Sequence, residues 1–150
     1  FIGIKKKNYK KNINKKNLET ILTDARNLFK ENYKDYKIMH MIINNYIVEG
    51  KHYEKFVDNF YSDTICLEIQ FISISNKIIY EIDKVLDLYQ IKIINYLDQN
   101  YINKVFEENN IQLPKKAHFI LNGFNDNEVQ VIPKKIGKMG FFEKFFQLFS

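Results

Sequence analysis

Residues 64–74 read TICLEIQFISI, and this alternation limits the folds open to the chain more than any other feature. Successive side chains of a strand point to opposite faces. Ile65, Leu67, Ile69 and Phe71 therefore share one face, and Cys66, Glu68 and Gln70 share the other. A strand with one apolar face needs a cover, and a helix with one apolar stripe supplies it. Two such helices flank the strand. Beyond Asn14 or Asn17, either of which suits a helix cap, Leu18, Ile21, Leu22, Ala25, Leu28, Phe29 and Tyr33 recur at helical spacing and predict a helix over 17–33. Ser75 or Asn76 caps a second helix, with Ile78, Ile79, Ile82, Val85, Leu86 and Tyr89 as its expected buried stripe.

Two further runs carry strand composition. KIMHMIINNYIVE over 37–49 is rich in β-branched and aromatic residues, carries a bend signal at Asn44-Asn45 and closes at Gly50; IKIINYL over 91–97 is the other. Residues 51–61 read as a long connection with aromatic anchors. The expected fold is α+β: a small three-stranded sheet covered on one face by two helices, with a C-terminal extension ending in an amphipathic helix. Short helices are expected at 101–109 and 115–121, a turn at 123–127 and a short strand at 128–132. The chain divides into a basic lead-in (1–16), an α+β unit (17–98), an extension (99–133) and a basic linker with a terminal helix (134–150).

Charge concentrates at the two ends. Residues 1–16 hold seven lysines and no acid, and 134–150 hold four lysines against Glu143, so the centre is acidic although the chain totals +5. Basic ends suit an anionic surface, either lipid headgroups or nucleic acid. The N-terminal run also suits a simple solvated segment. Arg26 is the only arginine, which argues against bidentate reading of bases and phosphates. One cysteine excludes an internal disulfide framework and points to a reducing compartment. No apolar run is long enough to span a bilayer. A chain that opens at Phe1 suits a fragment or a processed product.

Catalytic signatures are missing from the sequence. His40, His52 and His118 are scattered without ligand partners at metal spacing, and His40 within a strand reads as a structural residue. Cys66 has no activating neighbour and reads as a buried thiol, and Glu107-Glu108 read as a solvated helix face. There is no phosphate-binding glycine loop and no nucleophile elbow. The expectation is a non-enzyme without cofactor, metal or small-molecule substrate.

The chain closes with MGFFEKFFQLFS. On a helical wheel Phe141, Phe142, Phe145, Phe146, Leu148 and Phe149 fill an arc of about 160°, opposite Glu143, Lys144, Gln147 and Ser150. Lys134, Lys135 and Lys138 precede it. A membrane site is expected from these lysines, Lys144 and the apolar arc. Each lysine near an anionic leaflet adds about 1 kcal/mol, and each fully buried Phe yields roughly 1.5–3 kcal/mol. One such helix binds reversibly, and firm attachment needs a second signal. Docking on the chain's own core and insertion into a partner's groove are the competing readings.

The stretch NLETILTDARNLFKENYKDYKIMHMIINNYIVEG followed by TICLEIQFISISNKIIYEIDKVLDLYQIKI resembles the inserted subdomain of the bacterial actin-like cell-division protein FtsA. Residues 38–43 and 46–50 match that family's strand and turn pattern, with Glu49 where the family has Asp. Leu67-Glu68 look like the opening of its next strand, 89–93 like a later one, and 139–150 like its membrane-targeting tail. The strands of the ATPase core have no counterpart, so the resemblance implies neither ATP binding nor recruitment of the tubulin-like protein FtsZ. It implies a protein-contact domain of the division machinery on the cytoplasmic face of the inner membrane. Its partners would be an anionic membrane surface and either division proteins or further copies of itself. A pilus-assembly relative of the same actin-like superfamily fits equally. The alternative functions are a nucleic-acid-binding module and a soluble structural domain whose terminal helix packs on its own core.

Overall fold

The computed structural model of the chain describes residues 1–7, 12–13, 15–56, 60–106 and 110–130. Its centre is a pair of long antiparallel strands, β3 (Tyr36–Val48) and β6 (Thr64–Ser75). Two irregularities in β3 set which residues face the core. The register advances by two residues on β3 and one on β6 between Ile38 and His40, and again between Ile43 and Asn45. Met39 and Asn44 are thus the extra residues of two bulges. Each bulge reverses the alternation. Ile38, Met41, Ile43, Tyr46 and Val48 therefore all share the face of Ile65, Leu67, Ile69 and Phe71, although no strict period of two connects them. The bend expected at Asn44-Asn45 is the second bulge.

That face is covered by α1 (Lys15–Asn32). Leu18, Ile21, Leu22 and Ala25 are completely buried there and Phe29 nearly so. Leu28 and Tyr33, expected in the same stripe, are exposed, and Tyr33 lies past the end of α1. Asn17 lies inside α1 and is not its cap, whereas Asn14 falls outside the described residues.

The sheet has four strands in the order β1-β6-β3-β4, not three. β1 (Ile2–Lys7) pairs with β6, Ile2 opposite Ile69 and Ile4 opposite Leu67, so the first part of the lysine-rich lead-in is an edge strand. β4 (Lys51–Tyr53) pairs with the end of β3, and β5 (Phe60–Tyr61) forms a two-stranded ladder with β2 (Asn12–Ile13). The stretch read as a long connection thus holds two short strands. Val48 and Lys51 pair across Glu49 (φ 52°) and Gly50 (φ 75°), a two-residue hairpin with both central residues left-handed.

The run 91–97 is not a strand. Its composition suits one, but within the sheet β6 already has β1 and β3 as neighbours, and β3 has β6 and β4. The middle of β3's free side is closed by a bridge from Ile42 to Glu128, with Ile43 N–H donating to the Asn127 carbonyl and Val129 N–H to the Met41 carbonyl.

The helices do not share one face. The opposite side of β3 and β6, through Ile42 and Ile72, meets α3 (Gln99–Val105) and α4 (Leu113–Leu121). Tyr101, Ile102, Phe106 and Ile120 close this second, smaller core. Pro114 sits in the first turn of α4, where a missing N–H costs nothing, and so starts that helix. α2 (Asn76–Asp87), the helix expected beside α1, buries none of its residues.

Candidate interaction surface

Local signals define α2 sharply. Ser75 adopts extended backbone angles and its Oγ accepts the Lys77 N–H at 3.2 Å, a side-chain cap. Asn76 Nδ2 donates to the Lys34 carbonyl and Asn76 N–H to the Asp35 carbonyl, fixing the first turn to the start of β3. The helix ends where Gln90 takes a positive φ of 58°, with Ile91 N–H donating back to the Leu86 carbonyl.

The apolar arc is present, but only one side of it is sheltered. Ile79, Asp83 and Leu86 are half-buried, on the side where the Tyr96 hydroxyl donates to Asp83 at 3.0 Å. Ile78, Ile82, Val85 and Tyr89 follow one another at helical spacing and stand open, with Ile78 49% and Val85 55% exposed. Leu88, Ile91 and Ile94 extend the exposed apolar surface past the helix end. The expected burial of this stripe fails because the strand that would have lain beneath it does not form. A contiguous open stripe of large aliphatic side chains is the usual mark of a binding surface.

A second candidate is polar and closed. His40, completely buried, places Nδ1 3.0 Å from Glu128 Oε2, and its Nε2 accepts the Asp98 N–H at 2.9 Å. An accepting Nε2 requires the proton on Nδ1, so His40 donates to the carboxylate as a neutral ring. Glu128 Oε1 accepts the N–H groups of Met41 and Gln130. The Tyr101 hydroxyl also reaches Glu128, accepts from Asn125 Nδ2, and its ring lies 4.3 Å from that of His40. Burial first, then the Glu128 charge, pushes the Tyr101 phenol well above its ordinary value. The arrangement looks like a catalytic relay, but it is enclosed where no substrate can meet it. It clamps β3, the start of α3 and the 125–130 segment together. The sequence marked His40 as structural and missed Glu128, whose partner lies 88 residues away.

The remaining sites read from the sequence are dispersed. Cys66 is half-buried rather than buried; burial, then Glu68, raises its thiol above the ordinary value, with Lys5 opposing, so it stays protonated. Lys6 pairs with Asp24 at 3.2 Å across the edge of α1. Arg26 donates to Gln130 Oε1 at 2.7 Å. Among the described residues no cluster of His, Cys, Asp and Glu is arranged to hold a metal ion, and no helix is long and apolar enough to cross a membrane. Glu107 and Glu108 lie outside the described residues, as do all the expected membrane contacts: Lys134, Lys135, Lys138, Phe141, Phe142, Lys144, Phe145, Phe146, Leu148 and Phe149. Compared with protein families, curated proteins and solved structures, the chain finds no match in any of the three.

Proposed function

We propose that the chain is a membrane-associated protein-interaction module: a lysine-flanked, Phe-rich C-terminal helix tethers it to anionic lipid, and the α+β unit presents a contact surface. One observation carries the reading. Phe141, Phe142, Phe145, Phe146, Leu148 and Phe149 share one arc of a helical wheel, with Lys144 on the opposite arc and Lys134, Lys135 and Lys138 just before it. Anionic lipid suits both halves of that pattern, acyl chains for the rings and headgroups for the lysines.

The open stripe of α2 supports the contact role. The resemblance to the FtsA subdomain supports a role in the bacterial division machinery, on the cytoplasmic face of the inner membrane. Division proteins or further copies of the chain would be its partners. The acyl-chain and headgroup contacts are assigned to Phe141, Phe142, Phe145, Phe146, Leu148 and Phe149 and to Lys134, Lys135, Lys138 and Lys144. Flotation with vesicles of mixed anionic and zwitterionic lipid tests the tether. Binding is expected with anionic lipid and lost in the Phe142→Glu/Phe145→Glu variant; equal flotation of the two proteins would overturn it.

A further inference from the structure

The open stripe of α2 and the Phe-rich ending are both apolar surfaces in search of cover, and the course of the chain brings them together. The described chain runs to Gln130, which lines the same open cavity as Asn76, the first residue of α2, together with Arg26, Tyr36 and Lys37. The last twenty residues therefore set out beside the first turn of this helix. Residues 131–138 can span at most about 28 Å when extended. α2 has 12 residues and is about 18 Å long. A helix made from 139–150 would have the same length. Reach is thus sufficient for the two to lie side by side along their whole extent.

Chemistry matches as well. Ile78, Ile82, Val85 and Tyr89 form one row on α2, and the arc of 141–149 is nearly all phenylalanine, so aliphatic knobs would meet aromatic faces. α2 carries Glu81, Asp83 and Asp87 against Lys77 and Lys84, whereas 134–150 carries four lysines against Glu143. The two are opposite in sign.

We propose that the Ile78–Ile82–Val85–Tyr89 stripe is the docking site of the chain's own segment 139–150. This inference rests on the amphipathic reading of that segment and adds regulation to it. The same Phe arc cannot face α2 and lipid at once. Membrane binding then uncovers α2 for a partner, and docking on α2 withholds the anchor. The coupling is reciprocal: docking lowers the affinity for lipid by the same factor as lipid lowers docking.

Amide hydrogen exchange on the full chain tests this. In Phe142→Glu/Phe145→Glu the amides of 76–87 should exchange on the order of tenfold faster than in the parent, with α1, β3 and β6 unchanged. Vesicles of anionic lipid should speed the same amides in the parent. Ile82→Glu/Val85→Glu should raise affinity for those vesicles several-fold. Unchanged α2 exchange in the Phe variant would overturn the proposal. Vesicles that slow α2 exchange would assign the stripe to lipid, and protection that fades on dilution of a dimer would assign it to a second copy; either result contradicts it. The tether and the docking fail separately. Vesicle binding without a response of α2 sinks the docking alone, and a response of α2 to the Phe variant without vesicle binding sinks the tether alone.

Discussion

His40 joins three stretches of chain through one ring: its own strand, the backbone of Asp98 and the carboxylate of Glu128. Removing the ring would leave that carboxylate buried without one of its donors and open a cavity beside Tyr101. His40→Ala should therefore cost about 3 kcal/mol or more, read as a lowered urea midpoint at unchanged slope. A loss below about 1 kcal/mol would mean the clamp is ornamental. Two buried phenols dominate the alkaline pH response. Burial, with Asp126 for Tyr46 and Glu128 for Tyr101, raises both above the ordinary tyrosine value. An acid whose folded value is raised stabilises the fold fully below its unfolded value and loses that contribution as pH climbs towards the folded one. Stability should thus fall steadily above about pH 10, where exposed tyrosines ionise. The Tyr46→Phe/Tyr101→Phe variant should show a shallower decline in thermal melts from pH 9 to 12. At the hairpin, Glu49 occupies a left-handed position that Asn tolerates better. Glu49→Asn should stabilise by up to about 1 kcal/mol, and Gly50→Ala should destabilise by about 1–2 kcal/mol through strain alone, since a Cβ there meets no neighbour.

Among the elements, α2 and β6 sit at opposite extremes of burial, and mutation should separate them. Leu67→Ala should cost roughly 2–5 kcal/mol because Leu67 is completely buried between α1 and the sheet. Ile82→Glu should shift the global unfolding midpoint by no more than about 1.5 kcal/mol, the loss of docked 139–150, because nothing among the described residues covers that side of α2. If Ile82→Glu proves as costly as Leu67→Ala, the stripe is core and not surface. The elements with a strong local pattern were legible in the sequence. The 17–33, 37–49 and 64–74 runs became α1, β3 and β6 within two residues at each end, and Ser75 caps α2. Sheet membership was not legible. IKIINYL has a better strand composition than IGIKKK, yet the latter pairs with β6, because pairing depends on which edge is free and not on propensity. The run of three lysines in β1 hid Ile2 and Ile4, whose alternation is only two residues deep. The bulges at Met39 and Asn44 hid the single apolar face of β3 by reversing its period twice. Glu128 was out of reach of any local pattern, since its role comes from a partner on β3.

For the molecule as a whole, the described chain satisfies its sheet on both faces and still displays an apolar stripe on α2. The ending adds a Phe-rich sequence with one apolar arc on a helical wheel. Among the described residues the best-aligned polar groups, His40 and Glu128, are sealed inside. In the proposed function the Phe-rich ending carries the chain to anionic lipid. Co-sedimentation of the intact chain with vesicles containing anionic lipid, set against purely zwitterionic vesicles and against Phe142→Glu/Phe145→Glu, tests it most directly. A bound parent with anionic lipid, release as salt is raised, and a free variant are expected. A parent that stays in the supernatant, or a variant that pellets as well as the parent, would contradict it.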